Sequence, residues 1–334
     1  MTSLYTPDSS ALASPPPRGR FIATVAASVP ICREHFRLTL HLPTFPPTFP
    51  GQFIQVACQS LDLDYTPEHQ FDWTTAAPTS LAGRELISPL ALLRRPLSLA
   101  GRRDLPDSSV ELDIIHRVVG VGTAWLSRLA PDDRVHILGP LGNHFQLPPP
   151  ETPAILVAGG VGIPPMLYLA STLPGRAIFF TGAITRDLLP LTITPDFPTP
   201  ASTSIEPLNN IAELAQYNIP SVLTTDDGSY AFHGLVTQAL EQYLTRFFPL
   251  TPPTIYTCGP EPMMKRVAQI ALARNLPCQI SVERSMACGM GTCQSCVIRV
   301  RKPDPAKPPL AGKDWSYKLA CADGPVFSAA DLLW

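Results

Sequence analysis

Apolar and polar positions alternate along this chain in two rhythms. From Phe21 to Leu147 short β-rich runs follow one another: FIATVAASV, FRLTLHL, QFIQVAC, VELDIIHRV and RVHIL. A period of two marks strands that bury one face, and short strands of this kind between turn residues predict a small antiparallel β-barrel. One helical run interrupts them, with Thr123 placed to cap the first turn of AWLSRLA and Pro131 to close it. From Ala154 strand-like and helix-like runs alternate: AILVA, the segment after Gly162, AIFFT, SVLTT, LVTQALEQYL, TIYTC, PMMKRVAQIALARN and CQISV. That order predicts a parallel α/β sheet with crossover helices. Beyond Glu283 the periodicity gives way to a cysteine-rich, loop-like segment too small to bury much core, which a metal would stabilise.

The expected organisation is therefore multidomain: a disordered arm at 1–18, a barrel unit at 19–150, an α/β unit at 151–282 and a small unit at 283–334. Length allows it, because single cores stop growing beyond roughly 250 to 300 residues and this chain has 334. The 40 prolines gather where elements should break, at Pro15–Pro17, Pro43–Pro50, Pro148–Pro153 and Pro303–Pro309. Apolar residues make up 45% of the chain and charged ones 16%, enough apolar surface for an ordered core. A net charge of -2, with Lys and Arg scattered singly, leaves no basic stripe for nucleic acid. The first residues lack a cationic stretch followed by an apolar run, so a cytoplasmic chain is expected. The uncharged run Ala154–Ala170 is short and broken by Gly159, Gly160, Gly162, Pro164 and Pro165, so no membrane span is expected.

Cysteine usage narrows the chemistry. Cys32, Cys58, Cys258 and Cys278 are scattered, whereas Cys288, Cys293 and Cys296 stand as C-x4-C-x2-C and Cys321 follows after a longer excursion. This is the plant-type ligand spacing for a 2Fe-2S cluster. A loop wrapped round two bridged irons must aim three thiolates inward within a few residues, and Gly289 and Gly291 give the backbone that curvature. Four cysteines also satisfy zinc, but zinc more often takes two close pairs than three ligands in one run.

Further features point to flavin and nucleotide. Arg94-Arg95-Pro96-Leu97-Ser98 opens a barrel strand, where a fixed guanidinium can clamp a pyrophosphate and a hydroxyl can meet a ring nitrogen. Gly120-Val121-Gly122-Thr123 is a glycine turn opening a helix, a place that favours phosphate. The run containing Gly159, Gly160 and Gly162 lies between a strand and a helix, as does Cys258-Gly259-Pro260, both at the sheet edge where α/β folds bind ligands. Asp226 and Asp227 could accept hydrogen bonds from sugar hydroxyls and would repel a 2'-phosphate, which favours NAD over NADP; Arg186 pulls the other way.

Taken together, RRPLS, HRVVGVGTAWLS, ILGPLGNHF, LVAGGVGIPPM, LTTDDGSY, CGPEPMM, VERSMACGMGTCQSC and CADGPVF resemble the ferredoxin-reductase-like flavoproteins. Within that superfamily they are most similar to the electron-transfer subunits of NAD-dependent dihydroorotate dehydrogenases. The resemblance implies an FAD-binding barrel, a Rossmann-like NAD domain and a 2Fe-2S domain. It implies that Arg95, Pro96, Leu97 and Ser98 contact FAD, that His116, Arg117 and Val118 lie along its ring or linker, and that Gly120, Gly122 and Thr123 hold its phosphates. Gly159, Gly160, Gly162, Asp226, Cys258 and Gly259 would border NAD, and Cys288, Cys293, Cys296 and Cys321 would ligate the cluster. No acid-base site stands out; Ser98, Cys258 and Glu283 are the candidates beside the flavin.

The same likeness implies a partner, an FMN-containing TIM-barrel subunit that oxidises dihydroorotate to orotate in pyrimidine biosynthesis, in a heterotetramer of two chains of each kind. Reductase subunits serving ferredoxin or a sulfur or glutamate enzyme share these motifs and are the alternative; a zinc-stabilised scaffold without catalysis is another. Two features depart from the family: the arm at 1–18 and an insertion at 59–91, which reads as a surface loop that could also cover the flavin or touch a partner.

Overall fold

A computed structural model describes residues 18–59, 93–195, 197–247, 249–301 and 314–334. Apart from Arg18 and Gln59, the arm and the insertion expected from sequence lie outside the described residues.

The first unit is a closed barrel with strand order β1-β2-β5-β4-β3-β6. Its strands are β1 (Gly19–Cys32), β2 (His35–Leu42), β3 (Phe53–Val56), β4 (Arg95–Asp104), β5 (Val110–Arg117) and β6 (Arg134–Leu141). Every neighbouring pair is antiparallel. Closure needs bent strands, and register shifts supply the bends in β1, at Val25/Ala27 and Pro30/Cys32, and in β4, at Leu99/Gly101. The alternation read from sequence is the inward set: Leu38, Leu40, Ile54, Val56, Leu112, Ile114, Val135 and Ile137 fill the barrel.

Helix α1 (Val121–Leu126) adds Leu126 to that core. It differs from the sequence expectation at both ends. Gly120 is the N-cap and Thr123 the third helical residue, so the Thr123 hydroxyl reaches back to accept the N–H groups of Val119 and Gly120, at 2.9 and 3.2 Å. The helix stops before Pro131 because the chain tightens into three-residue turns, Arg128 N–H to Trp125 and Leu129 N–H to Leu126, and Asp133 then takes the Ala130 N–H.

The second unit is a seven-stranded sheet of order β10-β9-β8-β7-β11-β12-β15. Its strands are β7 (Ala154–Gly159), β8 (Ala177–Ala183), β9 (Ser221–Thr225), β10 (Phe232–His233), β11 (Thr254–Cys258), β12 (Cys278–Ser281) and β15 (Val326–Ser328). All pairings are parallel except β12 with β15. Helices α2 (Ile163–Ser171) and α3 (Ala212–Ala215) bury Met166, Leu169 and Leu214 in one core, while α4 (Val236–Arg246) and α5 (Glu261–Ala273) bury Leu240, Met264 and Val267 in another. The barrel and sheet share these cores. Ala100 and Ile115 join the α2 side, Phe53 and Leu141 the α5 side, and Tyr168 of α2 donates its hydroxyl to the Thr48 carbonyl at 2.8 Å.

The cysteine-rich segment adds a three-stranded sheet, β14-β13-β16, from β13 (Val297–Val300), β14 (Ser316–Leu319) and β16 (Leu332–Leu333). It does not stand apart from the α/β unit. After Cys321 the chain returns to the large sheet, where β15 pairs with β12 through Gln279↔Ser328, Ile280↔Phe327 and Ser281↔Val326. No helix among the described residues is long and apolar enough to cross a membrane.

Candidate functional site

The loop from Ala287 to Cys296 is shaped by its glycines and its sulfurs. Gly289 and Gly291 take φ +70 and +92, the left-handed region glycine enters freely, so the chain can fold back between the first two cysteines. Cys288 Sγ accepts the N–H groups of Met290 and Cys293, both at 3.4 Å, and Cys296 Sγ accepts the Cys321 N–H at 3.4 Å. Two of these contacts link the backbone of one cysteine to the sulfur of another, pairing Cys293 with Cys288 and Cys321 with Cys296. Cys293 Sγ lies 3.2 Å from the Ser295 hydroxyl, which with nearby N–H groups draws its pKa down to about 6. Burial, with Cys296 alongside, pushes the Cys321 thiol up to about 12. The pairs differ in exposure: Cys296 and Cys321 are buried, while Cys293 is exposed and Cys288 intermediate.

This donor set fits a two-iron cluster: four cysteines with backbone N–H groups aimed at the Cys288 and Cys296 sulfurs are what a bridged pair of irons needs.

The segment is pinned to the barrel at two places that sequence reasoning did not single out. Asn143, just after β6, donates its Nδ2 to the carbonyls of Asp323 (3.0 Å) and Val326 (2.8 Å), and its Oδ1 accepts the Val326 N–H at 2.8 Å. The strand following Cys321 is thereby fixed to the barrel rim. The second contact is Gln55 of β3, whose side chain lies against Gly289. The ILGPLGNHF motif contained the first signal; Gln55 carried none.

Four of the flavin candidates, Arg95 to Ser98, open β4. Its register with β3 is Phe53↔Ser98, Ile54↔Leu97, Gln55↔Pro96 and Val56↔Arg95. Ile54 and Val56 point into the barrel, so Pro96 and Ser98 share the outer face with Phe53 and Gln55. All four residues of Arg95–Ser98 are half-buried, and Arg95 Nη1 donates to the Leu93 carbonyl at 2.9 Å. Arg117 is held by an ion pair with Glu34, at 2.8 Å, and the Val118 N–H bonds the Glu34 carbonyl. His116 differs from its neighbours: its ring is buried inside the barrel, stacked on Phe36 at 5.8 Å, with neither ring nitrogen partnered among the described residues. Burial, and His35 beside it, lower its pKa to about 4.

The nucleotide candidates converge at the carboxyl ends of β7 and β11, but the glycines there have different reasons. A Cβ on Gly162 would lie 2.1 Å from the Cys258 carbonyl oxygen, and one on Gly259, at φ +152, would lie 2.9 Å from the Gly159 carbonyl. These glycines let the two turns pack on each other. Gly160, at φ +53, has open space around it and is the position a ligand can approach. Cys258 is buried, its thiol pushed up to about 12, with Ser281 hydrogen-bonded to it and Glu283 nearby. Burial raises the Glu283 carboxyl as well. At the end of β9, Asp227 is spent on the Ser229 N–H (2.9 Å), while burial and Asp227 raise the pKa of Asp226. Arg186 stacks over Tyr230, 5.5 Å from the ring centroid.

Residues 283–333 match the family described as the iron-sulfur cluster binding domain of dihydroorotate dehydrogenase B. Over 244 residues, 72% of this chain and 80% of the relative, the protein is 36% identical to the dihydroorotate dehydrogenase B (NAD(+)) electron transfer subunit of Geobacillus thermodenitrificans. This chain belongs to the family of dihydroorotate dehydrogenase B electron-transfer subunits. The likeness to the Caldanaerobacter subterraneus member is weaker but longer, 29% identity over 95% of this chain and all of the relative. In fold the chain is similar to an NADH-dependent reduced ferredoxin-NADP oxidoreductase, with TM-score 0.64 and 24% identity over 93% of this chain and 90% of that one. A cytochrome P450 reductase from Amycolatopsis shares the fold at TM-score 0.54 and 24% identity, over 80% of this chain and 70% of that one. As a family member the chain is an oxidoreductase subunit that transfers electrons and serves a catalytic partner.

Proposed function

We propose that this chain links an FMN-bearing TIM-barrel partner, which oxidises dihydroorotate in the cytoplasm, to NAD, in an assembly of two chains of each kind. Cys288, Cys293, Cys296 and Cys321 hold a 2Fe-2S cluster, Arg95 to Ser98 and the turn from Gly120 to Thr123 hold FAD, and Gly160 and Asp226 border NAD. When bound, the cluster supplies one-electron transfer, and the flavin converts between single electrons and the hydride that nicotinamide exchanges.

The chain's own residues orient and shield these groups. N–H groups of Met290, Cys293 and Cys321 stabilise charge on the sulfurs. Arg95 neutralises a pyrophosphate, and the half-buried Ser98 presents its hydroxyl on the outer barrel face. Buried Cys258 keeps its proton at neutral pH and offers an uncharged wall to a nicotinamide. The observation that carries the reading is the paired arrangement of the four cysteines, with one pair buried and the other at the surface where a partner can approach.

The test uses the chain and the barrel subunit from the same cells. The parent should contain about two irons and two acid-labile sulfides per chain, oxidise NADH with an artificial acceptor and, with the partner, reduce NAD at the expense of dihydroorotate. Cys296→Ala should abolish the coupled reaction and spare NADH oxidation. Coupled turnover without the cluster would refute the relay, and failure to couple with any such barrel would refute the partner.

A further inference from the structure

We propose that Gln55 is a positioning residue for the cluster: its carboxamide donates an N–H to a sulfur of the centre at the Cys288 end and raises the reduction potential. The inference rests on the reading that the four cysteines hold a 2Fe-2S cluster.

Gln55 sits on β3, whose backbone is committed to ladders with β4 and β6. Strand alternation sends its side chain away from the barrel core, and it is 0% exposed. Neither Nε2 nor Oε1 has a partner among the described residues, an uncommon state for a buried amide that can make up to four hydrogen bonds. The direction of the amide is set by Gly289. A Cβ built there would lie 2.5, 2.7 and 2.8 Å from Cδ, Nε2 and Oε1 of Gln55, so the carboxamide lies against the residue directly after Cys288. Gly289, at φ +70, both makes the turn and admits the amide.

Exposure separates two possible acceptors. The neighbouring flavin candidates Arg95, Pro96, Leu97 and Ser98 are only half-buried, as residues lining an open groove are, whereas Gln55 is closed off on the cluster-loop side. Sulfurs carrying negative charge are acceptors on that side, and a charge-assisted N–H···S bond is favoured in a water-excluded site. Such a bond strengthens as the centre gains an electron, so it favours the reduced form. The amide does so without adding a charge.

The experiment is an EPR-monitored redox titration of the anaerobically purified holoprotein, with iron, sulfide and FAD measured on each sample. Gln55→Leu and Gln55→Met remove the donor at similar volume. Both should keep the cluster and FAD and lower the equilibrium constant for cluster reduction about tenfold, a shift of about 59 mV for one electron. The flavin couple should move much less. A second reading needs no variant: pulsed EPR of the reduced parent, with glutamine side chains labelled with nitrogen-15, should show a coupled nitrogen that Gln55→Met loses. An unmoved cluster potential, a shift confined to the flavin, or a parent signal without that coupling would each overturn the role of Gln55. A parent lacking iron and sulfide would overturn the cysteine assignment itself.

Discussion

Acid should destabilise the barrel through His116. Its ring is 1% exposed, stacked on Phe36 beside His35, with neither nitrogen partnered among the described residues. Folding lowers its pKa from 6.5 to about 4. Because the folded value is depressed, the unfolded chain binds a proton first as pH falls. Stability from this group is therefore complete above about pH 6.5 and is lost on the way down to about 4. The full effect is about 3 kcal/mol, and about 2 kcal/mol of it is gone by pH 5. His116→Phe keeps a ring against Phe36 and removes the titration. Hydrogen exchange at the amides of Leu112 and Ile114 reports opening of the barrel by itself, so parent and variant can be compared at pH 7.5 and pH 5.0. His35, whose pKa burial also lowers, contributes in both proteins and drops out of the difference. The parent should lose about 2 kcal/mol more than the variant; equal losses, or a His116 that titrates near 6.5 by NMR, would refute the argument.

Asn143→Leu removes three hydrogen bonds to the strand after Cys321 and should cost about 2–4 kcal/mol locally. Faster exchange at the Val326 amide and quicker loss of iron on storage would report it; unchanged exchange would show the bracket to be dispensable. The two glycine turns should part company under substitution. Gly162→Ala drives a methyl into the Cys258 carbonyl and should give little folded protein, while Gly160→Ala, strained only by its φ, should fold with a cost of about 1 kcal/mol and weaker NADH binding. Soluble yield and an NADH titration distinguish them, and a well-folded Gly162→Ala would contradict the packing described here.

What could be read from the sequence was local. Strands such as β2 and β5 declare themselves because one face is buried and the period is two, and the four cysteines because ligands to one centre must lie close along a loop. The limits of α1 are not legible in the sequence, because a hydroxyl at the third helical position can serve the same N–H groups as one at the N-cap, and no spacing rule separates Thr123 in those roles. Other features depend on contacts between distant segments. Gln55 reads as one more outward residue of a barrel strand until Gly289 is laid against it. Gly162 and Gly259 read as ligand-approach glycines, yet each is also required by the turn it packs on. His116 falls within a motif that resembles a flavin contact, and only the register of β2 with β5 shows its ring turned inward.

The return of the chain to pair β15 with β12 has a consequence for biosynthesis. Ribosomes deliver the barrel and six strands of the large sheet first, leaving Ile280 and its neighbours as a bare edge until Ser328 has been made. Exposed edges of this kind invite pairing with other chains. Strand β15 covers that edge, and it is joined to Cys321 by only a few residues. The residue Cys321 and the strand that shields the nascent sheet from aggregation therefore leave the ribosome almost together.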